Sequence, residues 1–217
     1  MASRTPPSDA LKAWLPRQRW FASKVRRIAR IAVEDWVPIA TGGLAVVAVT
    51  LDDGAVERYA VPLLSGDDVS DALADPAFCR ALLDLVAASG AARGDGGEVR
   101  GTRTRAFPAE LPADLPARPL GAEQSNTSVA FGDALILKHF RLLQAGTNPE
   151  REISWFLTER TSFRATPSAT APQRRRAACC TTATRSTTTG RSSTLASSPP
   201  RRRTSCRSSR KIGRAHV

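Results

Sequence analysis

The stretch AVVAVTLDDGAVERYAVPLL, Ala45 to Leu64, decides the fold class. Two apolar, valine-rich runs flank Asp52-Asp53-Gly54. An Asp-Gly pair between such runs is a strong hairpin signal, because glycine accepts the positive φ that a tight reversal demands. The spacing predicts strands at Ala45–Leu51 and Ala55–Leu64. Working outward, Ile28–Val37 alternates loosely and predicts a strand ahead of the hairpin. On the far side, Asp75 is placed to cap a helix that has Pro76 at its first position. Phe78, Leu82, Leu83, Leu85 and Val86 form its apolar face, and Gly90 ends it. Near the N-terminus, Ser8 is placed to cap a short helix, Asp9–Leu15, stopped by Pro16. Glu98–Phe107 reads as one further strand. Residues 1–107 are therefore expected to form a small antiparallel-sheet domain with helices, an α+β unit.

Charge divides the chain sharply. Of its 32 Lys and Arg, twelve lie between Ser168 and Val217, where there is no Asp or Glu; the other twenty are matched by all twenty acids. The net charge of +12 thus belongs to this tail. It also lacks aromatic residues, so it cannot bury enough apolar surface to offset chain entropy and is expected to be disordered. A basic arm for nucleic acid or an anionic membrane is one reading. Translation of GC-rich DNA out of frame is the other, and it accounts for the Arg, Ala, Thr, Ser and Pro texture. The ending Ile212-Gly213-Arg214-Ala215-His216-Val217 is what a widely used sequencing adapter spells in one frame. The tail is accordingly set aside from fold reasoning as frameshifted and adapter-derived, and nucleic acid is not expected as a partner.

The remaining residues suit one domain or two small ones. Cys79 is their only cysteine, which excludes a disulfide framework and fits a reducing compartment. No apolar run approaches the roughly 20 residues that span a bilayer, and a cytoplasmic location is expected. Pro108–Pro119 has a proline every few residues and reads as a semi-rigid connector between domains.

Beyond the connector the order of elements carries chemistry. Leu120–Phe131 reads as a polar loop followed by a short strand. Gly132-Asp133 makes a tight turn, and Ala134–Arg141 is a strand with Lys138 at its centre. Asn148 caps a helix with Pro149 first, Glu150 and Glu152 in its first turn, and Ile153, Phe156 and Leu157 on its apolar face. Strand, polar loop, strand, lysine strand, acidic helix is the order of a kinase-type nucleotide lobe. Such a lobe needs backbone donors and small hydroxyls around the phosphates, which Gln124, Ser125, Asn126, Thr127 and Ser128 offer. It also needs a lysine held by a carboxylate from the next helix. Lys138 is that lysine; Glu152 is the preferred carboxylate and Glu150 the alternative. The loop lacks the glycine-rich kinase pattern. Upstream, Arg17-Gln18-Arg19-Trp20-Phe21-Ala22-Ser23-Lys24 places adjacent aromatics among cations. These rings either stack on a ligand or anchor a helix end in the core.

At these residues the chain resembles the maltokinases. The matching stretches are WLPRQRWFASK at 14–24, VPLLSG at 61–66, GAEQSNTSVAFGDALILKHFRLLQAGTNPE at 121–150 and EISWFLTE at 152–159. The resemblance implies a cap domain at 1–107, the connector at 108–119, and part of a nucleotide-binding lobe at 120–167, resembling aminoglycoside phosphotransferases. It implies ATP and Mg2+ as cofactors and transfer of the γ-phosphate to maltose, giving maltose 1-phosphate in glycogen and trehalose metabolism. Some members are fused to trehalose synthase. It makes Gln124–Ser128 the phosphate loop, Lys138 the ATP lysine and Glu152 its partner. The family's catalytic Asp and its metal-binding Asn and Asp have no counterpart here, so this chain is expected to be an inactive fragment. Other readings are a related sugar or aminoglycoside kinase, a non-catalytic nucleotide-binding module, and a short α+β protein with a basic arm.

Overall fold

Residues 6–66, 68–121, 125–161, 176–181 and 183–184 are described by the computed structural model, the last two segments through their backbone alone. Helix α1 spans Ser8–Trp14 and tightens into a 3-10 turn at Leu15–Arg17. Pro7 occupies its N-cap position, so Ser8 is the first helical residue and not the cap; the Pro7 carbonyl accepts the Leu11 N–H at 3.1 Å. Pro16 sits inside the 3-10 turn without ending the helix abruptly, since the early positions of such a turn need no N–H donor.

Three long strands follow: β1 (Ile28–Ile39), β2 (Gly42–Leu51) and β3 (Val56–Leu64). They form an antiparallel meander with the predicted reversal at Asp52–Gly54, where Gly54 has φ +83°. A bulge between Val33 and Asp35 inserts one residue into β1. Side chains alternate with period two, so the extra residue changes the parity of everything after it. Ile31 before the bulge and Trp36 after it consequently face the same core.

Both faces of this sheet are covered. On one side Ala45, Val47, Val49, Tyr59, Val61 and Leu63 pack with Leu11, Leu15, Trp20 and Phe21. Leu44, Val37, Ile39 and Ala60 belong to a second core, built with α2 (Pro76–Ala87). A continuous apolar run such as β2 is what a strand buried on both faces requires. Asp75 caps α2 as predicted, accepting the Ala77 N–H at 3.1 Å through Oδ1. Its other oxygen accepts the Thr41 hydroxyl at 2.6 Å, and this bond holds the Asp75 carboxyl below its usual range. At the C-terminal end, Ser89 takes the left-handed conformation at φ +49° one residue before Gly90. The Gly90 N–H bonds to the Leu85 carbonyl at 2.9 Å.

The expected strand at Glu98–Phe107 is a short hairpin, β4 (Ala91–Arg93) and β5 (Glu98–Arg100). Asp35 is buried beneath its turn, where Oδ1 accepts the Gly96 N–H at 3.0 Å. The proline-rich segment ends in β6 (Ala117–Leu120), which pairs with β7 (Asn126–Phe131). Pro119 is tolerated there because β6 is an edge strand. Arg80 of α2 holds the segment by donating to the carbonyls of Pro112 (3.0 Å) and Ala113 (2.9 Å).

Strand β8 (Leu135–Phe140) pairs with β7 across the turn at Gly132, and β9 (Leu142–Leu143) crosses to pair with β3. Val129, Phe131, Leu135 and Leu137 share a core with Phe78, Leu82 and Leu83 of α2. Helix α3 (Pro149–Arg160) is capped by Asn148, as the sequence predicts. Its expected apolar face is not buried: Ile153 and Phe156 are exposed, as is Trp155. Within the segment expected to lack structure, β10 (Arg176–Thr181) runs parallel to β8 and β11 (Ala183–Thr184) pairs with β5. An open sheet edge pairs with extended backbone whatever its side chains. The architecture is α+β, and among the described residues the pairing is antiparallel except between β10 and β8.

Candidate functional site

Alternation along β8 sorts its side chains. Leu135, Leu137 and His139 turn inward and are buried, whereas Ile136, Lys138 and Phe140 lie on the outer face. Lys138 stands opposite Ser128 of β7. Its Nζ donates to Oε1 of Glu150 at 2.7 Å and lies 5.8 Å from the Phe140 ring centroid. The strand lysine and a carboxylate from the next helix thus meet, through the residue held as the alternative in the sequence. Glu152 is exposed in the same first turn, and its N–H bonds to the Asn148 carbonyl at 3.0 Å. The cap explains the choice. Asn148 Oδ1 accepts the N–H groups of Glu150 and Arg151, which sets the start of α3 and brings Glu150 over β8. The other end of α3 is tied down by Arg105, whose main-chain N–H donates to Glu159 Oε1 at 2.7 Å and whose guanidinium reaches the carbonyls of Thr158 and Thr161.

Most of the polar segment expected as a loop is strand. Asn126, Thr127 and Ser128 are already in β7, paired with Phe140, His139 and Lys138. Small hydroxyl and amide side chains favour turns by themselves, but cross-strand pairing outweighs that local preference. Ser125 is exposed just before the strand, and Gln124 lies outside the described residues. Ser128 is buried. Thr127 accepts from Arg141 Nε at 3.1 Å and Nη2 at 2.8 Å.

Arg141 is the feature that sequence reasoning missed. Its guanidinium is fully buried and ion-paired with Asp71 Oδ2 at 2.5 Å. It also lies over the Trp20 ring, 4.5 Å from the centroid. Burial pushes the Arg141 guanidinium below its ordinary range, and Asp71 opposes that shift. Nearby, His139 Nε2 lies 3.0 Å from the Ala60 carbonyl, so the neutral ring donates there. Burial, and then the Arg141 charge, take His139 down to about 3. Strand alternation marks His139 as inward-facing; nothing local marks Asp71 and Trp20 as partners of Arg141. Trp20 and Phe21 are core residues, packed at 6.0 and 5.4 Å from Tyr59. This favours the anchor reading of RQRWFASK, with Arg141, not a neighbour in sequence, supplying the cation.

Residues 14–84 match the family model of the maltokinase N-terminal cap domain. That span runs from Trp14 through β1–β3 into α2, so it includes Trp20 and Asp71. The N-terminus of the chain is therefore maltokinase-like. The cap meets the later residues at Arg141, at the Ala60 backbone and through β9.

Among the described residues no group of three or more His, Cys, Asp or Glu side chains could hold a metal ion. Among the described residues, too, no helix is long and apolar enough to cross a membrane.

Proposed function

We propose that the chain is the N-terminal part of a maltokinase, with the cap at 14–84 followed by the nucleotide-facing strands and helix of the kinase lobe. Two observations support the reading: the family match over the cap, and the 2.7 Å pair between Lys138 and Glu150. In kinase-type lobes a strand lysine neutralises nucleotide phosphate, and a helix carboxylate orients it. Here Lys138 supplies the cation, and Glu150 the carboxylate. Exposed Ser125, just before β7, is assigned to the approach to the phosphates. ATP is the nucleotide and maltose the acceptor of the whole enzyme. No Asp, Glu or Asn follows Glu159, so the later residues offer no carboxylate for magnesium. In this reading phosphotransfer is an activity of the whole enzyme, and nucleotide binding is the property proposed for the residues described.

Calorimetric titration of the full chain with ATP tests this. Saturable binding is expected, and Lys138→Ala should abolish it. Wild-type protein that takes up no heat at millimolar ATP would sink the nucleotide reading.

A further inference from the structure

We propose that Arg141 is a positioning residue that fixes Lys138 against the cap, so that the cap is part of the support of the phosphate-binding lysine. The functional half of this statement rests on the reading of Lys138 given above; the positional half does not.

The Lys138–Glu150 pair cannot hold itself. Both side chains are partly exposed, at 27% and 52%, and such pairs recover little beyond the entropy of ordering two long side chains. The backbone of β8 sets where the lysine side chain begins. That backbone is secured immediately after Lys138. His139 donates to the Ala60 carbonyl at 3.0 Å, and the Arg141 carbonyl accepts the Ala60 N–H at 2.8 Å. One residue of the cap is thus gripped through both its main-chain polar groups by residues that bracket Phe140. The Arg141 side chain then locks the register. It spans Asp71 and Trp20 on the cap side and Thr127 on β7, the strand that carries Ser128 opposite Lys138. Asp71 is itself held, because its other oxygen accepts the Leu73 N–H at 3.0 Å.

A buried charge is a costly way to fill space, and apolar residues of similar volume do that at least as well. What a guanidinium adds is direction. Its planar set of donors meets two acceptors only in one arrangement, and here they are Thr127 on β7 and Asp71 in the segment between β3 and α2.

The test reads Lys138 in the full chain without nucleotide. With 13C-lysine labelling the chain has four lysines, Lys12, Lys24, Lys138 and Lys211, and Lys138→Arg identifies the Lys138 signal by its disappearance. In wild-type protein E150Q should shift the Lys138 Cε resonance. In a D71N background the same substitution should shift it by less than half as much, because the lysine no longer sits at Glu150. A role confined to stability would leave the E150Q shift at full size in folded D71N protein, and that result overturns the proposal. T127V, which removes only the hydroxyl acceptor, gives the same comparison if D71N does not fold. Because no nucleotide is present, lost coupling supports the positional claim even where ATP binding fails, and intact coupling refutes it even where ATP binds.

Discussion

Lys138 Nζ donates to Glu150 Oε1 at 2.7 Å, joining β8 to the first turn of α3. Glu150 rather than Glu152 is therefore the helix carboxylate paired with the lysine among the described residues. Glu150→Gln should weaken ATP binding about tenfold, whereas Glu152→Gln should change it less than threefold, on the order of what losing one charge-assisted bond is worth. Parallel titrations of both variants check the ranking. Neither change should move global stability by more than about 0.5 kcal/mol, because the pair is exposed.

Gly43 faces the indole of Trp36, and an added Cβ would overlap its Cε2 and Cζ2 atoms. The bulge in β1 puts Trp36 on that face, so glycine is required for space there and not for a positive φ. Gly43→Ala should destabilise the chain by about 1–3 kcal/mol, the range for overpacking a filled core. Urea unfolding monitored by circular dichroism measures it. Adding Trp36→Leu should recover part of the loss, which separates overlap from a change in strand propensity.

Asp71 neutralises a guanidinium with no exposed surface. Removing one member of a buried pair strands the other charge. Asp71→Ala should therefore cost about 3 kcal/mol, and Asp71→Ala with Arg141→Met should cost less than the sum of the single changes. A double-mutant cycle from denaturant unfolding reads the coupling; strict additivity would mean that the two residues stabilise the chain independently.

His139 is buried as the neutral ring, with its folded value at about 3 against 6.5 for an ordinary histidine. Between those limits the unfolded chain binds a proton that the folded chain does not. Acid thus favours unfolding throughout that window, at up to about 1.4 kcal/mol per pH unit. Stability should be level in this respect above pH 6.5 and fall as the pH drops below it. His139→Leu should flatten the fall. Unfolding midpoints of both proteins at a series of pH values give the comparison, and equal slopes would assign the acid sensitivity to other groups.

Local chemistry made much of this chain legible. The Asp-Gly reversal, Asp75 before Pro76, Asn148 before Pro149 and the alternation of LILKHF each act within a few residues, so their elements sit close to where the sequence puts them. Misreadings have a common cause as well. Asn126, Thr127 and Ser128 favour a loop by themselves and become strand because β8 pairs with them. Ser8 yields its capping position to Pro7, and β4 and β6 are too short to show a period of their own.

By itself, then, the sequence determined the α+β class, the central hairpin, the two capped helices and the candidacy of Lys138, all of which follow from interactions short in chain length. Only the tertiary structure decided that Glu150 is the carboxylate at Lys138, that Trp20 and Phe21 are core, and that Arg141 reaches Asp71, Trp20 and Thr127. Those outcomes depend on which distant residues are brought together when both faces of one sheet are buried, and no local periodicity encodes that.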